Sequence, residues 1–215
     1  MENGRGGWNT VVKEIRLYVE GGGDSKDTKA FLREGFSVFL QSLVTMARQK
    51  GIRWRIVTCG SRHAAFEAFR TAERENAESC NVLLVDAEGP VETTPWLHLR
   101  RRNDWDREDS PDDQCHLMTQ AMEAWFIADI EALTSFYGSG FHRNSLPRNP
   151  NVEQIPKAQL EPSLKAATRA TQKGEYHKIR HASKLLEIIN VEVVRGASEH
   201  CDRLFTTLTQ KMQKD

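Results

Sequence analysis

The segment "CNVLLVDAEG", Cys80 to Gly89, sets Val82, Leu83, Leu84 and Val85 in an unbroken apolar run that ends on Asp86 and Glu88. A strand sends alternate side chains to opposite faces, so a continuous apolar run is stable only where both faces are covered. Strands of this kind lie inside parallel sheets with helices above and below. The chain therefore reads as α/β.

The neighbouring segments agree with that reading. After a glycine-bearing lead that is expected to be mobile, "VKEIRLYVE" alternates loosely and is rich in β-branched and aromatic residues, which predicts a strand ending near Glu20. In "DTKAFLREGFSVFLQSLVTMARQKG", Leu32, Phe36, Phe39, Leu40, Leu43 and Ala47 recur at helical steps, which predicts a single helix stopped by Gly51. "RWRIVTCG" reads as a second strand and "RHAAFEAFRTAERENAE" as a second helix with Phe66 and Phe69 inward. Cys115 to Met118 reads as a short fourth strand, leading into a helix striped by Met122, Trp125, Phe126 and Leu133. The expected architecture is a mostly parallel sheet of about four strands flanked by helices.

Between the third and fourth strands, "PVETTPWLHLRRRNDWDREDSPDDQ" reads as a short helix and an exposed loop. From Phe136 the segment "YGSGFHRNSLPRNPNVEQIPK" concentrates Gly, Pro and Asn and is expected to hold little regular structure. Three short helical patterns follow: "EPSLKAATRATQKG", "HASKLLEIIN" and "SEHCDRLFTTLTQKM". The last is capped by Ser198, with Cys201, Leu204, Phe205 and Leu208 inward. The expected division is an α/β core over residues 1–135, and an irregular excursion with C-terminal helices over residues 136–215, packed as one unit.

Composition narrows the function classes. Lys plus Arg and Asp plus Glu are each 30, so a formal net charge of zero excludes binding of a polyanion by bulk charge and requires a local patch. The four cysteines contain no CxxC pair, which argues against a disulfide framework and a zinc knuckle. No apolar stretch approaches the roughly 18 residues of a membrane span, and no basic start precedes an apolar run. A cytoplasmic protein without a membrane partner is expected.

Ligands of open α/β sheets bind in the crevice at the carboxyl ends of the strands. The first strand delivers Glu20 there, followed by three glycines and Asp24, and the third delivers Asp86 and Glu88. If the chain stays extended, positions i and i+2 project to one side, so Asp86 and Glu88 both reach one ion. Hard oxygen donors favour Mg²⁺ or Mn²⁺ over zinc. Glu123, one position off an apolar stripe, is placed to line the same crevice. Asp24 equally suits a helix N-cap. As a phosphate cradle, "EGGGDS" lacks both the GK[ST] ending of a P-loop and the GxGxxG spacing. Glu20 would also repel a phosphate unless a cation intervened.

Phosphoryl transfer wants a cation beside the developing charge, and Lys178 in "GEYHKIRHASK" is the candidate. His177, Arg180, His181 and Lys184 around it suit a phosphate backbone, or are only a solvated helix start. His177 and His181 have the i, i+4 spacing of two zinc ligands without the acid of an HExxH motif. Arg100, Arg101 and Arg102 are a second candidate phosphate contact, unless acidic neighbours neutralise them. Trp96, Trp105 and Tyr176 are candidates either for stacking on bases or for packing.

The EGxxD-like turn and the DxD-like pair resemble the toprim fold, the metal-binding domain of topoisomerases, primases and the overcoming-lysogenization-defect nucleases. More closely, "YVEGGGDSK", "LLVDAEGPV", "HLMTQAMEAWFIAD" and "YHKIRHASKLLE" together resemble a bacterial family, domain of unknown function 4276, regarded as toprim-like. This resemblance covers most of the chain. It implies metal-dependent phosphodiester chemistry with Glu20, Asp86 and Glu88 as ligands of one or two Mg²⁺ or Mn²⁺ ions, and Asp24 and Glu123 in support. Glu88 stands where the toprim pattern has a second aspartate, which lengthens the arm by a methylene. The implied substrate is DNA or a structured RNA such as tRNA. The implied partner is an ABC-type ATPase in anti-phage defence; separately, a homo-oligomer is expected. A non-catalytic toprim-like subunit of an ATPase complex is the alternative, and nucleotidyl transfer is a third reading.

Overall fold

The computed structural model describes residues 12–107 and 110–213. The lead expected to be mobile, residues 1–11, lies outside them. Strands β1 (Glu14–Val19), β2 (Arg53–Thr58), β3 (Cys80–Asp86) and β4 (Cys115–Met118) form one sheet in the order β2-β1-β3-β4, with every pairing parallel. The apolar run of β3 divides between two cores, as continuous burial requires. Val82 and Leu84 enter one core, while Leu83 and Val85 enter the other with Phe66, Phe69 and Trp96.

The first face carries α1 (Lys26–Phe39) and α2 (Gln41–Gln49), where the sequence pattern predicts one helix. Leu40 leaves helical geometry at φ −93° and ψ 17°, and this bend lets both pieces keep their apolar stripe on the sheet. The second face carries α3 (Arg62–Glu75), whose cap Ser61 accepts the Ala64 N–H at 3.2 Å, and α4 (Pro95–Asn103). After β4, the helix expected to be continuous is α5 (Glu123–Ala128) and α6 (Ile130–Tyr137). Asp129 separates them, accepting from Ala132 N–H at 3.0 Å to start α6 and from Asn190 N–H at 2.8 Å.

The Gly- and Pro-rich stretch holds two short 3₁₀ turns before α7 (Lys157–Thr168). It is followed by α8 (Lys178–Ile188), α9 (Val191–Ala197) and α10 (Glu199–Gln213). No sequence pattern announced α9, because its seven residues bury only Val194 and leave no periodicity to read. Ser198 accepts the Cys201 N–H at 3.1 Å at the start of α10. Residues 135 and 136 lie within α6, and one core spans both sides of that point. Phe39 of α1 stacks on Trp125 of α5 at 5.1 Å and meets Phe205 of α10 edge-on at 5.8 Å. Among the described residues, no helix is long and apolar enough to cross a membrane.

Helix α8 reaches the sheet's carboxyl edge because it lies tightly against α1. At Gly35 of α1 a Cβ would sit 2.7 Å from the carbonyl oxygen of Ser183 and 2.9 Å from its Cα. Gly35→Ala is therefore expected to destabilise the protein by about 1–3 kcal/mol through overpacking, against a helix-propensity gain of about 1 kcal/mol. A lowered urea midpoint at unchanged slope checks it.

Candidate metal centre

The sheet hydrogen bonding continues one residue past β1, with Glu20 N–H donating to the Leu84 carbonyl at 3.0 Å. The chain then doubles back. Gly21 has φ 116° and exchanges hydrogen bonds of 2.7 and 2.9 Å with Gly60, which follows β2 and has φ 87°. A Cβ at Gly60 would lie 2.7 Å from the Gly23 carbonyl oxygen, so both the left-handed backbone and the close approach require glycine there. The fold-back leaves Glu20 against the end of β3, where its Oε2 accepts the Asp86 N–H at 3.0 Å. Asp24 is exposed, and Ser25 rather than Asp24 caps α1, accepting the Thr28 N–H at 3.1 Å.

Glu88 reaches the centre by a different route from the extended one the sequence suggested. Its φ is 67°, a left-handed conformation that costs a side-chain-bearing residue about 1–3 kcal/mol, and its N–H donates to the Gln120 carbonyl at 2.8 Å. The result is the same convergence. Carboxylate oxygens of Glu20, Asp86 and Glu88 all lie within 4.8 Å of one another.

Cations surround this group. Lys178, first residue of α8, has its Nζ 3.3 Å from Asp86 Oδ2 and 3.5 Å from Glu123 Oε1. Asp86 Oδ1 accepts the Met122 N–H at 2.8 Å. Glu123 is buried behind Lys178 and accepts the Tyr176 hydroxyl at 3.1 Å, so it anchors the lysine and stands outside the three-carboxylate group. Lys157 forms an ion pair with Glu88. The side chain of Gln120 delivers Lys157, donating to the Glu153 carbonyl at 3.1 Å and accepting the Lys157 N–H at 2.9 Å.

The charges do not balance evenly. Burial, followed by the charge of Asp86, pushes the Glu20 carboxyl up to about 7. Burial and Asp86 also raise Glu123 despite Lys178. Burial would raise Glu88 as well, but Lys157, Arg62 and Arg102 outweigh it and hold that carboxyl below its usual range. Burial opposes the charge on Lys178, yet Asp86, Glu123 and Glu20 outweigh it and hold the ammonium protonated well above its usual range.

The family model of the domain of unknown function DUF4276 matches residues 19–209. The chain belongs to that family. The DUF4276 match contains every residue of the carboxylate centre and both lysines that face it. No curated protein and no solved structure matches the chain.

Several residues singled out in the DUF4276 sequence lie elsewhere. His181 is buried, with its Nδ1 accepting the His177 N–H at 3.1 Å and lying 3.1 Å from the Tyr137 hydroxyl, so it caps α8 from within and joins no basic surface. That geometry also dissolves the His177 and His181 pair as zinc ligands, since His177 is exposed. Arg180 and Lys184 are exposed on α8, and Lys184 is taken by Glu187 at 2.9 Å. Trp96, Trp105 and Tyr176 are packing residues, all buried, with Trp105 stacked on Phe66 at 4.0 Å. Arg100 turns to Asp106 at 4.0 Å, whereas Arg101 and Arg102 line a cleft with Arg62. Neither Arg62 nor Lys157 was singled out from the sequence. Arg62 follows β2 at the sheet's carboxyl edge, a position the crevice rule covers, while Lys157 sits in a Pro-rich stretch with no signal.

Proposed function

We propose that this DUF4276 protein is a Mg²⁺- or Mn²⁺-dependent phosphodiesterase of toprim type that hydrolyses nucleic acid. One observation carries the reading: three carboxylates from two strand ends converge within 4.8 Å, and Glu20 among them is driven to a pKa of about 7. Burial and the neighbouring Asp86 charge displace this acid in spite of Arg62 and Lys178, so a further cation beside it would ease its ionisation. An all-oxygen carboxylate donor set suits a hard divalent ion.

Glu20, Asp86 and Glu88 would hold the ion. When bound it supplies Lewis acidity toward a phosphoryl oxygen and a more acidic water. Lys178, fixed by Asp86 and Glu123, stands where positive charge stabilises a phosphoryl group gaining negative charge. Tyr176 holds Glu123 in turn. In hydrolysis a water oxygen forms a bond to phosphorus while an ester P–O bond breaks, and the departing oxygen takes up a proton. The glycine turn leaves the backbone bare beside this chemistry.

Incubation of DNA and of tRNA with Mn²⁺ is expected to give cleavage that EDTA stops. Asp86→Ala should lower the rate by about 10³-fold or more while circular dichroism stays native. Cleavage by Asp86→Ala at the original rate would sink the ligand assignment. The resemblance to the overcoming-lysogenization-defect nucleases extends the proposal to anti-phage defence beside an ABC-type ATPase.

The ion pairs of Lys178 with Asp86 and of Lys157 with Glu88 favour a second reading, because they partly satisfy the carboxylates without a metal. Under it the chain is a non-catalytic subunit of an ATPase complex. Calorimetry separates the two, since that subunit takes up no Mn²⁺ at millimolar concentration.

A further inference from the structure

Beside the carboxylates, on the α3 and α4 side, lies an open cleft of about 620 Å³ lined by Arg62, Glu88, His98, Arg101 and Arg102. It is larger than the glycine-turn pocket of about 200 Å³ on the α8 side. Glu88 belongs both to this cleft and to the carboxylate group, so the two are continuous. Arg62 supplies an unusual feature: its guanidinium lies over the Trp105 ring at 5.4 Å, and its Nε and Nη2 are buried with no hydrogen-bond partner among the described residues. Buried guanidinium donors without partners are costly, and a planar fork of this kind suits phosphate oxygens. Arg102 passes beside Gly89, where a Cβ would lie 3.4 Å from its Nη1, and Arg101 and Arg102 are exposed along the cleft. His98 closes the inner wall, with its Nε2 2.8 Å from the Ala87 carbonyl oxygen. On the α8 side Lys178 is held by two carboxylates, Lys184 is paired and His181 is buried, which leaves Arg180 as the exposed cation of that helix start.

We propose that this cleft binds backbone phosphates of a nucleic-acid strand adjoining the scissile bond, through Arg62, Arg101 and Arg102. The substrate is then a polynucleotide, entering along α4 and held without regard to sequence, since phosphate contacts position a strand but do not read it. The link to a scissile bond rests on the reading of Glu20, Asp86 and Glu88 as the reacting centre. The arginines' other use, favouring the carboxyl end of the α4 dipole, predicts a change in stability and none in nucleic-acid affinity.

Fluorescence anisotropy with a short single-stranded DNA oligonucleotide, in EDTA so that no cleavage intervenes, tests the cleft. Arg101→Ala with Arg102→Ala is expected to weaken binding by about tenfold or more, and to lower the slope of log affinity against log salt by about 1.4, at about 0.7 per lost single-strand phosphate contact. Arg101→Lys with Arg102→Lys should restore the slope, because the charge returns. Unchanged affinity and slope in the double alanine variant overturn the proposal, as does failure of the unmodified protein to bind. Arginine-dependent binding by a protein that never cleaves with Mn²⁺ upholds the cleft and defeats the nuclease reading alone.

Discussion

Glu20→Gln is expected to make the metal-free protein more stable above neutral pH while removing its uptake of Mn²⁺. The sign follows from the raised carboxyl. In the folded protein Glu20 titrates at about 7, against 4.5 for an unperturbed glutamate. Between those values the native state binds more protons than the unfolded chain, so stability falls as pH rises through the window and the full penalty is present above it. Glutamine carries no charge and its side-chain oxygen can keep the Asp86 N–H bond. The gain should be about 1–3 kcal/mol at pH 8, seen as a rise of about 3–8 °C in melting temperature in EDTA, and should vanish near the unperturbed glutamate value. With Mn²⁺ the order reverses, because only the unmodified protein gains from binding. A Glu20→Gln protein no more stable than the original at pH 8 would remove the argument that uncompensated charge resides there.

Lys178→Ala acts on the same charges from the other side. It leaves Asp86 and Glu123 facing each other across the place of the lost ammonium, and it takes away the cation that the proposed hydrolysis would set beside a phosphoryl group. The lysine side chain is 39% exposed, so solvent screens part of its charge and a loss of about 1–2 kcal/mol is expected, less than the ~3–5 of a fully buried pair. Its own titration lies above 10.5, so it contributes steadily across the neutral range. The pH dependence comes from the acids: as pH falls through 7 and Glu20 takes up a proton, the deficit of the variant should shrink. Mn²⁺ should restore stability, and the cleavage rate should remain about 10²-fold down or more. Thermal melts at two pH values with and without Mn²⁺, beside a single-turnover cleavage assay, check every part.

Glu20 and Lys178 are both legible in the chain, for different reasons. Glu20 and Asp86 stand at the ends of recognisable strands, and strand ends in a parallel sheet share one edge, so spacing and apolar pattern were enough to bring them together. Lys178 was legible as the cation wanted beside the acids, but which of its basic neighbours share that edge was not. His181, three residues on, belongs to that cluster in sequence and turns inward to cap α8. Which members of a charged helix start face the site depends on how α8 rests on α1, and that contact is set by Gly35 against Ser183. Helix breaks were equally hidden. Leu40 and Asp129 interrupt runs whose periodicity continues on both sides, because the break changes direction without changing which residues are apolar.

The chain's own pattern is sufficient for an α/β fold with a doubly covered central strand and for two acid-bearing strand ends, because alternation and helical period are local properties. It also carries the likeness to the family that the match over residues 19–209 establishes. The left-handed turn that carries Glu88 inward, the lysine that Gln120 holds against it, and the Arg62 guanidinium, seated over Trp105 with two nitrogens that have no hydrogen-bond partner among the described residues, come from contacts between segments far apart in the chain. Those contacts depend on packing and on where buried charge finds a partner. Assembly of the whole fold, rather than any single stretch, sets them.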